Sequence, residues 1–77
     1  MALVLVVKLV DHTRTVYPTW DDLIRDMKSR YPRLRFGMLN IALPEWTAQA
    51  LLRHPGYSVG LMEGSEILGT VTASSLS

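Results

Sequence analysis

Ala2-Leu3-Val4-Leu5-Val6-Val7-Lys8-Leu9-Val10 decides how this chain must fold. Side chains alternate along a strand, so Leu5, Val7 and Leu9 point one way and Val4, Val6 and Lys8 the other. A strand that is apolar on both faces needs cover on both. That places it inside a sheet with a helix on one side. Asp11-His12-Thr13-Arg14 then reads as a turn and Thr15-Val16-Tyr17 as a returning strand. With His12 and Thr13 at the turn centre, Leu9 faces Val16, and Leu5, Val7, Leu9 and Val16 share one core face.

The next segment is a helix with a marked start and stop. Thr19 is a good N-cap, and Asp22 completes a capping-box-like pattern, with Asp in place of the usual Glu or Gln. Asp21 and Asp22 also sit at the positive end of the helix dipole. Trp20, Leu23, Ile24, Met27 and Tyr31 recur at helical spacing and form one apolar stripe. Pro32 ends the helix, because the residue before a proline avoids helical geometry.

A third strand is expected from about Phe36 to Ala42. Pro44 suits the start of a short second helix with Trp46, Ala50 and Leu51 on its apolar face. Tyr57 to Met62 and Glu66 to Thr72 read as a closing hairpin about Glu63-Gly64-Ser65. A three-residue loop there puts Val59, Leu61, Ile67, Gly69 and Val71 on one face. Gly60 and Gly69 mark a bulge or a close backbone approach. Residues 1–73 read as a single small domain and 74–77 as a flexible tail. The expected class is α+β: a small mixed sheet on one main helix, in the order β-β-α-β-(α)-β-β. The alternative is a two-helix split α+β sandwich.

This order resembles the β-grasp, or ubiquitin-like, fold. Thr19-Trp20-Asp21-Asp22-Leu23-Ile24 looks like the start of the helix in such domains. His54-Pro55 followed by Gly64-Ser65-Glu66-Ile67 is similar to the segment before the last strand of small sulfur carriers related to the molybdopterin-synthase small subunit. There a Gly-Asp-Glu-hydrophobic turn opens the final strand. Carriers and modifiers of this kind end in an exposed Gly-Gly whose carboxylate is adenylated, whereas this chain ends Ser74-Ser75-Leu76-Ser77. The resemblance therefore implies the non-conjugated use of the fold as an interaction module, ahead of a sulfur carrier, and transfers no functional residue.

Composition sets the outer limits. Seventy-seven residues bury only roughly 60% of their unfolded surface, which implies a stability of about 4–12 kcal/mol. Without cysteine there is no disulfide and no thiolate metal site. The 48% hydrophobic content exceeds what one small core usually absorbs, which points to a homodimer or another protein partner. A net charge of +1 gives no whole-protein field that selects nucleic acid or membrane. The N-terminal apolar run lacks a basic region before it and is interrupted by Lys8. It is therefore read as neither signal peptide nor membrane span, and a cytoplasmic protein is expected.

The chemistry-bearing residues are sparse. His12 and His54 share no short-range ligand spacing, and His54 suits a helix C-terminus. No serine lies in a nucleophile-elbow pattern, and the glycines are scattered. No catalytic, metal-ligating or cofactor-binding residue is assigned, no cofactor is expected, and the protein is read as not an enzyme. Lys28, Arg30, Arg33 and Arg35, interleaved with Tyr31 and Phe36, have the types that hold phosphates and stack bases. A solvated helix end explains the same cations, and Asp21, Asp22 and Asp26 dilute their field. The apolar surplus nominates Phe36, Met38, Ile41, Leu61 and Met62 as partner-binding residues. The leading expectation is a protein–protein interaction module, an adaptor, inhibitor or assembly factor such as a phage or mobile element encodes. The alternative is a nucleic-acid-binding accessory protein using Lys28–Phe36.

Overall fold

The computed structural model describes residues 2–38 and 41–76. The elements are β1 (Ala2–Leu9), β2 (Arg14–Tyr17), α1 (Trp20–Arg30), β3 (Leu34–Met38), β4 (Ile41–Leu43), α2 (Glu45–Leu51), β5 (Ser58–Glu63) and β6 (Glu66–Leu76). The strands form one sheet in the order β2-β1-β6-β5-β3-β4. The α+β class stands. Every pairing is antiparallel, so the sheet is not mixed, and α2 is a formed helix. The single third strand expected over 36–42 is instead two strands, with Phe36 opposite Leu43 and Met38 opposite Ile41. Residues 39 and 40 of that stretch lie outside the described residues.

β1 is an interior strand, as its two apolar faces require. Leu5 and Val7 are buried and Leu9 packs against the same core. Their partners on β6 are Ala73, Val71 and Gly69. The turn after β1 is longer than expected. Leu9 N donates to Thr13 O, His12 N donates to Leu9 O, and His12 adopts φ 72°. Asp11 accepts from Thr13 N at 2.9 Å; hydrogen bonds from Thr13 hold its carboxyl below the usual range. The register therefore pairs Val16 with Val6 rather than Leu9, and turns Val16 away from the core. Thr15 and Tyr17 take the inner face instead, Tyr17 fully.

Helix α1 forms where its signals lie. Thr19 Oγ1 accepts from Asp22 N at 3.2 Å and donates to Asp22 Oδ2 at 2.9 Å. Leu23 and Met27 are buried, with Trp20, Ile24 and Tyr31 packed around them. Trp20 lies against Phe36 with ring centroids 5.2 Å apart. Helix α2 keeps one residue of the expected face, Leu51, which packs against the core. Ala48 and Leu52 enter the core, so Trp46 and Ala50 fall outside it, Trp46 being 73% exposed.

The last hairpin turns on two residues, Gly64-Ser65, with Glu63 opposite Glu66. Gly64 takes φ 62°, the positive value that a glycine-first two-residue turn needs. The expected irregularity is a bulge: Leu61 pairs with Gly69 but Met62 with Ile67, leaving Leu68 as the extra residue. The extra residue reverses the alternation, so Leu68 is buried while Ile67 turns outward at 65% exposure. Gly69 is a close approach as well: a Cβ there would lie 2.1 Å from Lys8 O. The expected tail is not a tail through residue 76. Ser74, Ser75 and Leu76 pair with Val4, Leu3 and Ala2, because the start of β1 needs a hydrogen-bonding partner. Ser77 lies outside the described residues.

Candidate interaction surface

Both helices bury their apolar residues on one side of the sheet. Leu23, Met27, Ala48 and Leu52 join Leu5, Val7, Phe36, Val59, Leu61 and Val71 in a single core. The alternate residues of every strand therefore form a second face that the helices do not cover. One cross-strand row on it runs Arg14, Lys8, Thr70, Gly60, Gly37, Ala42. A second row runs Val16, Val6, Thr72, Ser58. Beyond the first row, Arg35 pairs with Met62 and Met62 with Ile67.

The relief of this face follows from its side chains. A Cβ on Gly37 would meet Met62 Cε at 2.7 Å, so the methionine lies across the glycine. Val4, Val6 and Met62 are half-buried by their neighbours, while Val16 is 55% exposed. A groove of about 290 Å³ opens at one end, between Lys8, Val10, His12, Ile67 and Thr70.

Charge is distributed unevenly between the two sides. On the helix side Arg25 meets Asp22 at 3.6 Å, Lys28 meets Glu45 at 2.8 Å and Arg30 meets Asp26 at 3.6 Å. The uncovered face carries Lys8, Arg14 and Arg35, all exposed; among the described residues none of them has an ion-pair partner, and the strand carboxylates Glu63 and Glu66 lie on the other side. Glu63 alternates with Met62 and lies on the helix side, where it accepts from Arg33 N at 3.4 Å. The Tyr17 hydroxyl donates to Asp26, which ties β2 to α1. Burial first, and then that hydrogen bond, pushes its pKa up to about 12.

The expected site residues divide between the two sides. Phe36 and Leu61 are core residues, 3% and 0% exposed, and cannot meet a partner; their positions on β3 and β5 face the helices. Met38 is half-buried, Ile41 is exposed on edge strand β4, and Met62 lies on the uncovered face. The basic segment is also broken up. Lys28 and Arg30 are held by carboxylates, Arg33 lies in the loop after α1, and Arg35 emerges on the opposite side of the sheet. Tyr31 and Phe36 turn inward and offer no stacking surface beside them. Neither histidine joins the uncovered rows: His12 forms the first turn and His54 meets the Tyr57 ring edge-on at 5.9 Å.

No protein-family model, curated protein or solved structure matches this chain. Its surface is therefore read from its own geometry. Lys8, Arg14, Val6 and Val16 were absent from the expected site. The signal for two of them was present in β1, whose Val6 and Lys8 must face away from Val7.

Proposed function

We propose that this protein is an interaction domain that acts by binding another protein rather than by catalysis, and that its working surface is the uncovered sheet face. The observation that carries the reading is the placement of both helices on one side, which leaves Val6, Val16, Met62 and Ile67 without a covering layer. Antiparallel sheets commonly leave one face to water, but such a face is then polar. Here β-branched and thioether side chains interrupt it. Six strands spaced at about 4.8 Å give a face roughly 24 Å across, and an area on the order of 500 Å². That area suits a small, reversible interface of the kind an adaptor or inhibitor uses.

The test uses immobilised full-length protein and extract of the source cell. Val16→Asp and Ile67→Asp alter two exposed side chains on this face without touching the core. A protein retained by the wild type and lost by the double variant, at unchanged melting temperature, supports the reading. Equal retention by both refutes it.

A further inference from the structure

We propose that the occupant of the uncovered face is an acidic segment of a partner protein, held by Lys8, Arg14 and Arg35 about an apolar floor; this rests on the reading of that face as the working surface. The argument is charge complementarity. The net charge of +1 conceals a segregation. Helix-side Arg25, Lys28 and Arg30 each have a carboxylate within 4 Å, whereas the three cations of the sheet face have none among the described residues. Lys8 and Arg14 are directly opposite each other on neighbouring strands. Like charges in that position repel and destabilise the pair, and an opposite charge there would have stabilised it. The chain retains the unfavourable arrangement on the uncovered face, at its β2 edge. An anionic occupant converts that repulsion into two favourable contacts.

The geometry narrows the occupant. Arg35 is on β3, three strand spacings from Lys8 on β1, or about 14 Å across the sheet. The floor between them is Thr70, Gly60, Gly37 and Met62. A segment that spans it carries carboxylates at both ends and small or β-branched residues between. Nucleic acid fits less well. Single strands are bound by aromatic stacking as well as by cations, and the strand aromatics Tyr17 and Phe36 face the core. A second copy bound face to face would set these three cations against the same three.

The test uses three labelled probes at low salt: a peptide with paired glutamates flanking about four β-branched residues, the same peptide with lysines for glutamates, and oligo-dT. Fluorescence anisotropy should show binding of the acidic peptide alone, weakened roughly tenfold or more by Arg14→Glu with Arg35→Gln. Arg14→Glu should hold or raise the melting temperature, since Lys8 gains an opposite cross-strand charge, so weaker binding is not explained by unfolding. Arg35→Gln alone, read separately, covers the case in which Arg14→Glu fails to fold. Equal binding by wild type and variants, equal binding of the lysine peptide, tighter binding of oligo-dT, or no binding of the acidic peptide overturns the inference. A face-to-face dimer of wild type at low salt, abolished by Val16→Asp, overturns it too. If it fails while retention of a partner still depends on Val16 and Ile67, the interaction reading survives. If that retention fails as well, both fall.

Discussion

Replacing Gly69 by alanine tests the packing of the two longest strands. β1 and β6 pair over eight positions, from Ala2 opposite Leu76 to Leu9 opposite Gly69. An alanine Cβ at 69 would lie 2.1 Å from Lys8 O, 2.7 Å from Leu9 Cα and 2.9 Å from Lys8 C. All three are backbone atoms, so no side chain can swing aside. Relief requires that β1 and β6 separate by about 1 Å at this end, beside the bulge at Leu68. Overpacking of this kind costs about 1–3 kcal/mol, and each ladder hydrogen bond stretched adds about 1 kcal/mol. A total of about 3 kcal/mol is a large share of the stability of a 77-residue chain, and lowers the melting temperature by about 12–24 °C. Gly64→Ala is the control for positive φ, which both glycines have, 158° at Gly69 and 62° at Gly64. Gly64 has φ 62° with nothing within 4 Å of its Cβ position, so only the left-handed backbone is penalised, by about 1–2 kcal/mol. Thermal melts followed by far-UV circular dichroism compare the two. If Gly69→Ala melts no lower than Gly64→Ala, the close approach of β6 to the Lys8 carbonyl is not real.

Leu23→Ala empties the centre of the core and should cost about 2–5 kcal/mol in urea titration; a midpoint near wild type would remove α1 from its assigned face. Thr19→Ala deletes the side chain that receives Asp22 N and should cost about 0.5–2 kcal/mol by the same measurement, whereas Thr19→Asp should restore most of it. The Tyr17 phenol is raised from 10 to about 12 in the fold, so the folded state retains a proton that the unfolded chain releases. Its contribution is intact below pH 10 and declines toward pH 12, at no more than about 1.4 kcal/mol per pH unit; Tyr17→Phe should flatten that decline in melts taken across the range.

Local signals were legible in the sequence and alternation across irregular connections was not. The Thr19–Asp22 cap and the Leu23–Met27 stripe lie within one helix, where spacing alone assigns the buried side. The interior position of β1 followed from its two apolar faces in the same way. Val16 lies on the outer face and not the expected core face because His12 at φ 72° lengthens the turn and shifts the register. Ile67 turns outward because Leu68 inserts one residue and reverses the alternation. A glycine at 69 could suggest a bulge but not its phase. Of the face expected on helix α2, Leu51 packs against the core, but Ala48 and Leu52 fill it and the bulkier Trp46 lies outside. The composition of the uncovered face depends on the same registers. Its Val6 and Lys8 were readable, whereas Arg14 and Arg35 join them only once the pairing is known.

Salt separates the two partners that an apolar surplus can serve, an acidic protein and a second copy. Edge pairing between copies is limited, because the edge strands β2 and β4 are four and three residues long. Short edges expose few free backbone groups. Face-to-face pairing buries Val6, Val16 and Met62 but brings Lys8, Arg14 and Arg35 of each copy together. Their repulsion is screened when the Debye length falls from about 10 Å at 0.1 M to about 3 Å at 1 M salt, while apolar burial persists. A face-to-face dimer should therefore strengthen as salt rises. An acidic partner held by the same cations should weaken over the same range. Sedimentation equilibrium should give a mass near 8.7 kDa at low salt, with any larger species growing only at high salt. A dimer that forms at low salt and dissociates at high salt would mean that opposite charges meet across it, and the assignment of three unpaired cations to this face would be wrong.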